Sequence, residues 1–193
     1  MKYMMKFKNS IDDQDLNNQE VIVDPQVEYY LICKKKLEIA LPILDKVWRK
    51  TLCLQDYTLS QGHCEGIAVA CQYFDEKLVN RVLFSNCGMS GDEFAEILRG
   101  LNKLKDVKSI TYKRNTLNKE AINELEPILK KRLPRNLEEL KIIDVKSNAA
   151  LNDDLINKIY AGCQIRKLAL VNCELSEKTF DTLIMFIQES IYL

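Results

Sequence analysis

One pattern recurs along this chain and constrains it more than any composition. Between Val79 and Leu101 an apolar series, Val79, Val82, Phe84, Cys87 and Met89, runs at intervals of three, two, three and two residues. Phe94, Ile97, Leu98 and Leu101 then follow at helical spacing. Such a stretch predicts a short strand, a turn marked by Cys87-Gly88 and a helix. That unit is too small to bury its own apolar face, so it needs a similar unit on each side.

The rest of the chain supplies them. Val107, Ile110, Tyr112, Asn115 and Leu117 repeat the series, with Val107 lying 28 residues after Val79. Leu137, Leu140, Ile142 and Val145 follow with a step of 30, and Ile165, Leu168, Leu170, Cys173 and Leu175 with a step of 28. Upstream, Leu52, Leu54, Tyr57 and Leu59 match Val82, Phe84, Cys87 and Met89 at an offset of 30. Leu193 falls where the first apolar residue of a sixth strand would stand. Five parallel strands are therefore expected near Leu52, Val82, Ile110, Leu140 and Leu168, each followed by a helix.

These units resemble the leucine-rich repeat family of the long, ribonuclease-inhibitor-like type, over about Arg49 to Leu193. The resemblance implies an α/β solenoid with a curved parallel sheet on the concave side and helices on the convex side. It also implies that an Asn or Cys at the ninth place of each unit bonds backbone groups left open where the chain leaves the sheet. Here that place holds Tyr57, Cys87, Asn115, Val145 and Cys173. Tyr57 and Val145 depart from the pattern, so the ladder should be irregular at the first and fourth units. Residues Lys146 to Ala150 look like an insertion, which predicts a bulging loop in the fourth unit.

The chain divides into three parts. Residues 1–24 are polar, hold too little apolar matter to fold alone, and are expected to form a flexible arm; Val21-Ile22-Val23 is a short apolar run within it. Residues 25–48 read as a helical N-terminal cap, with one helix carrying Val27, Tyr30, Leu31 and Leu37, and a second from Ile43 to Arg49 with Pro42 in its first turn and Val47 and Trp48 on its inner stripe. Residues 49–193 are the repeat array. Its helices are expected over 62–74, 92–101, 119–133, 153–161 and 177–190. Ser90 with Glu93 forms a capping box, while Ser176 with Thr179 brackets another helix start. Pro127 should kink or split the third helix. Lys130, Lys131, Arg132 and Arg135 crowd its end, where the helix dipole favours them.

Composition excludes several classes. Apolar residues make up 47% and charged residues 29% of the 193, with 28 acidic and 28 basic residues. A neutral chain gives no general reason to bind nucleic acid or a membrane surface, and no apolar run approaches the roughly 18 residues of a membrane span. The seven cysteines form no C-x-x-C pair and read as reduced, mostly buried thiols of a cytoplasmic protein. The only histidine, His63, has Cys64 beside it but no further ligand pair, so neither metal nor cofactor is expected. Phosphate-binding and nucleophile-elbow motifs are absent from the sequence. His63, placed at a helix start, is expected in solvent rather than in a catalytic relay, and enzyme activity and a small-molecule substrate are not expected.

Function then rests on surface. Alternation along a strand puts the third, fifth and seventh residues of each unit on the concave side. The eighth residues, Asp56, Asn86, Arg114, Asp144 and Asn172, flank that side. Leu83, Ile143 and Val171 are apolar on the face, and Arg81, Lys113, Arg114, Lys141 and Lys167 make it basic. With Ser85 and Thr111 these form the expected partner-binding set. The partner is expected to be another protein within a larger assembly, making the chain a scaffold or assembly subunit. The alternative is a regulator of an enzyme, an inhibitor or a GTPase-activating protein of the same repeat type. The Asn- and Lys-rich composition is common in AT-rich genomes, where divergent repeats of this kind serve ciliary and cytoskeletal assemblies.

Overall fold

The computed structural model describes residues 23–43, 47–74, 79–104, 106–130, 137–162 and 165–191. Residues 1–22 of the expected arm, the cluster Lys131, Arg132 and Arg135, the end of the third helix beyond residue 130, and Leu193 lie outside them, as does the Trp48 side chain.

Five strand–helix units follow one another: β2 (Thr51–Gln55) with α2 (Gln61–Cys71), β3 (Arg81–Ser85) with α3 (Gly91–Leu101), β4 (Ser109–Lys113) with α4 (Lys119–Leu129), β5 (Glu139–Ile143) with α5 (Ala149–Gly162), and β6 (Lys167–Val171) with α6 (Glu177–Ile191). The strands pair in sequence order, all parallel. Leu52, Val82, Ile110, Leu140 and Leu168 stand in one register row, as the repeated spacing requires. The result is a repeat-like, solenoid-like α/β architecture.

Each unit turns from strand to helix in the same way. The first residue after the strand, Asp56, Asn86, Arg114, Asp144 or Asn172, is left-handed, with φ of 59°, 53°, 51°, 51° and 54°. Four of the five are Asn or Asp, the residues that tolerate this region best after glycine. Its N–H reaches the last strand carbonyl of the next unit, as in Asp56 N to Ser85 O at 2.9 Å and Asn86 N to Lys113 O at 2.9 Å. Four residues later stands a helix N-cap in every unit: Ser60, Ser90, Asn118, Asn148 and Ser176 each accept a helix N–H on the side-chain oxygen. Asn148 explains why the expected bulge at Lys146–Ala150 is not there. It starts α5 at Ala149, and the connection has the same length as in the other units. Lys146 itself bridges to Thr116.

The apolar strand positions bury against the helices in one continuous core, with Leu52, Leu54, Val82, Phe84, Ile110, Tyr112, Leu140 and Ile142 all inaccessible or nearly so. Phe94 of α3 joins two units there: it stacks on Tyr112 with centroids 3.7 Å apart and meets Phe84 edge-on at 6.3 Å. Gly100 lets α3 approach α2, because a Cβ there would sit 2.2 Å from the Ala68 carbonyl oxygen. Pro127 does not split its helix. α4 runs unbroken to Leu129, with Pro127 inside its last turn.

The N-terminal end differs from the expectation. α1 (Pro25–Lys35) is a helix as expected, capped by Asp24, but its inner residues are Tyr29 and Cys33. Val27, Tyr30 and Leu31 are exposed, and Leu37, left-handed at φ 58°, is 95% exposed. The ring of Tyr29 lies against Gly66, where an added Cβ would come within 2.8 Å. Val47 to Arg49, expected in a second helix, are not helical; residues 44–46 of that expected helix lie outside the described residues. Instead β1 (Val47–Trp48) pairs antiparallel with β2, joined by a two-residue turn in which Arg49 and Lys50 are both left-handed. A turn with two positive φ values matches the twist of a hairpin, and the hairpin covers the outer edge of the sheet. At the other end β6 has a neighbour on one side only among the described residues, and α6 leaves Phe180 59% and Met185 53% exposed.

Candidate functional site

The odd strand positions form three rows on the face opposite the helices. The register sets Thr51, Arg81, Ser109, Glu139 and Lys167 in the first, Cys53, Leu83, Thr111, Lys141 and Ala169 in the second, and Gln55, Ser85, Lys113, Ile143 and Val171 in the third. The left-handed residues, Arg114 among them, make a fourth row along the rim. All ten sequence-predicted residues therefore share one continuous surface. Arg81, Arg114, Lys167 and Val171 are exposed; Leu83, Thr111, Lys113, Lys141 and Ile143 are half-buried; Ser85 is only 8% exposed and offers little to a partner.

Polar contacts organise part of this surface. Ser109 Oγ donates to Glu139 Oε2 at 2.9 Å, and Lys141 Nζ pairs with Glu139 Oε1 at 2.9 Å. The Lys141 contact, with the Ser109 hydroxyl, holds the Glu139 carboxyl below its ordinary range. Along the rim, Asn86 Nδ2 donates to Asp56 Oδ1 at 2.8 Å, Asn172 Nδ2 donates to Asp144 Oδ1, and Arg114 Nε lies 3.7 Å from Asp144 Oδ2. A cleft of about 430 Å³ opens behind this rim, between Arg114, Asp144, Asn86 and Lys146. Sequence reasoning placed the rim residues by position. It missed that they form a side-chain ladder, although the recurrence of Asp and Asn at that place was the available signal.

The ninth-place residues stand under the rim and hold it. Cys87 Sγ faces Leu54 O at 3.3 Å and Ser85 O at 3.5 Å; Asn115 Nδ2 donates to Phe84 O at 3.4 Å and Lys113 O at 2.9 Å; Cys173 Sγ faces Ile142 O at 3.7 Å and Val171 O at 3.6 Å. Each reaches the same two carbonyls, one in its own unit and one in the unit before. Asn115 also accepts from Cys87 N at 2.9 Å and Met89 N at 3.3 Å. Val145 has no donor to offer, so the ladder lapses in the fourth unit as expected.

His63 is not in solvent. It is 8% exposed and completes a helix cap. Ser60 N donates to Nδ1 at 3.2 Å, Ser60 Oγ lies 2.7 Å from the same nitrogen, and Nε2 faces Ile39 O at 2.9 Å. Glu38 Oε2 stands 3.3 Å from Nδ1. A hydroxyl, an imidazole and a carboxylate are thus together, but not as a relay. A relay needs one ring nitrogen on the nucleophile and the other on the acid, whereas here both groups address Nδ1 and a backbone carbonyl occupies Nε2. The cluster fastens the 36–43 segment to α2, alongside the Lys36–Glu65 ion pair at 2.7 Å. His63 stands where a capping box normally carries Glu or Gln, which is why the sequence did not announce it.

The six cysteines among the described residues are free. Burial pushes the Cys87 thiol up to about 11 and the Cys71 thiol to about 12, which leaves neither as a thiolate at neutral pH. No group of three or more His, Cys, Asp or Glu suited to a metal ion occurs among the described residues. No helix among them is long and apolar enough to cross a membrane. A comparison with protein-family models finds no match, and a comparison with curated proteins finds none either.

Proposed function

We propose that this chain is a leucine-rich repeat solenoid of the ribonuclease-inhibitor-like type, and that it works as a non-enzymatic protein-interaction module. In that role it is a scaffold or assembly subunit that holds another protein on the open, concave face of its sheet. The repeat type is supported by the regular strand–helix units and by the Cys and Asn side chains that bond equivalent carbonyls in successive units. The observation that carries the functional reading is the open face itself. Leu83, Ile143 and Val171 project from it among lysines, on the side away from every helix. Apolar anchors inside a charged surround are the composition of a binding surface.

The test is the full chain carrying Leu83→Asp with Ile143→Asp. Both residues stand on the sheet surface outside the core, so circular dichroism melts should stay close to those of the parent. Proteins that co-purify with the parent should be lost from the variant. Unchanged co-purification would move the partner to the helices or to the N-terminal region and overturn the reading.

A further inference from the structure

The two sides of the molecule differ in charge. Helices α2 to α6 hold twelve Asp and Glu against four Lys and Arg, whereas strands β2 to β6 hold Glu139 alone against Arg81, Lys113, Lys141 and Lys167. In a chain of zero net charge, helices α2 to α6 are thus acidic and the strands of the open face basic, with Asp56 and Asp144 on the rim beside them.

The lysines are also ordered. Lys113 pairs in register with Ile143, and Lys141 stands two residues before Ile143; Lys141 pairs with Ala169, and Lys167 stands two residues before Ala169. They form a diagonal across three neighbouring strands. Strands about 4.8 Å apart and a two-residue step of about 6.6 Å place successive lysine backbones roughly 8 Å apart. Lys141 is shared with Glu139, but Lys113 and Lys167 make no ion pair with a described residue. Ile143, Ala169 and Val171 fill the corner on one side of the diagonal.

Resting on the open-face reading above, we infer that the partner presents an acidic protein segment to this diagonal, with carboxylates meeting Lys113, Lys141 and Lys167 and an apolar side chain seated on Ile143 and Val171. Charge complementarity selects the sign of the partner and speeds its approach, and the acidic helices turn the same partner away from the convex side. Nucleic acid fits the face less well. None of the fifteen side chains in the three rows is aromatic, so bases have nothing to stack on.

The experiment measures fluorescence anisotropy with the full chain and three labelled probes: a glutamate-rich peptide with interspersed valines, a lysine-rich peptide of the same length, and an oligothymidylate. The glutamate-rich peptide should bind, and more weakly as salt rises. Lys113→Glu, Lys141→Glu and Lys167→Glu together should weaken it by at least about tenfold, since charge across an interface sets approach and partner choice. Lys103→Glu, Lys119→Glu and Lys178→Glu, the same charge change on the helical side, should leave it within about twofold, as expected of distant screened charges. Lys→Gln versions at the three diagonal positions guard against misfolding and should show a smaller loss in the same order. Equal weakening by both triple variants, no binding of the glutamate-rich peptide, or tighter binding of the oligothymidylate overturns the acidic-segment inference. The co-purification test separates the two claims. If the Leu83/Ile143 variant loses its partner but the diagonal variants keep it, only the acidic inference fails; if all keep it, the open-face reading fails as well.

Discussion

Asn115 is the side chain on which two units most depend, and Asn115→Val removes what it does while nearly keeping its volume. Only 4% exposed, its Oδ1 accepts from Cys87 N and Met89 N, and its Nδ2 donates to Phe84 O and Lys113 O. The Lys113 carbonyl keeps a second donor in Asn86 N at 2.9 Å, so its loss is small. The two N–H groups have no such reserve, and each buried donor left unmet costs roughly 1–3 kcal/mol. The variant should therefore lose about 2–6 kcal/mol, a large part of the roughly 5–15 kcal/mol that holds a domain together. At about 2–4 °C per kcal/mol for a chain of this size, the melting temperature should fall by roughly 5–20 °C. Asn115→Cys should fall between parent and Val, since Cys87 and Cys173 already serve the equivalent carbonyls of their own units. Urea melts followed by circular dichroism measure all three. A loss under about 0.5 kcal/mol for Asn115→Val, the range of an ordinary surface change, would refute the claim that this amide closes the turn.

Phe84→Ala should cost about 3–5 kcal/mol, because Phe84 is fully buried and its ring meets Phe94; a loss under about 1 kcal/mol would place it outside the core. Glu126 is held at about 2, below its ordinary 4.5, by hydrogen bonds from Lys130 and Lys158. A depressed carboxyl stabilises the fold above its unfolded value and ceases to do so as pH falls through the folded one. The melting-temperature gap between the parent and Glu126→Gln should thus be steady above about pH 4.5 and close towards pH 2; a gap independent of pH would contradict this. The end formed by β6 and α6, with its open strand edge and exposed Phe180 and Met185, should self-associate. Light scattering should report species larger than 22.4 kDa that revert on Phe180→Ser with Met185→Ser, and a clean monomer of the parent would show that α6 shields the end unaided.

The strands were legible because their apolar residues alternate in the same phase in every unit, and this phase also assigned Leu83, Lys113, Lys141 and Ile143 to the open face. Elements fixed by backbone geometry were not. The hairpin that covers the first edge turns on left-handed Arg49 and Lys50, residue types that do not advertise a turn. The start of α5 depends on Asn148, which precedes two alanines rather than an apolar series, so a loop was the simpler reading. On α1 the buried stripe is a tyrosine and a cysteine, whereas Val27 and Leu31 face outward against the usual preference. His63 was misplaced because its burial comes from Glu38 and Ile39, distant in sequence. The chemistry of the proposed partner is written in no periodicity; it is argued only from charge sign and the apolar corner at Ile143 and Val171.

Hydroxyl-radical footprinting of the full chain, free and with its co-purified partner, tests the central claim most directly. Leu83, Ile143 and Val171 should be shielded by the partner, while Tyr73 and Tyr160, exposed on the helical side, keep their reactivity. Shielding of Tyr73 and Tyr160 with Leu83, Ile143 and Val171 unchanged would mean that the helices, not the open face of the sheet, hold the partner.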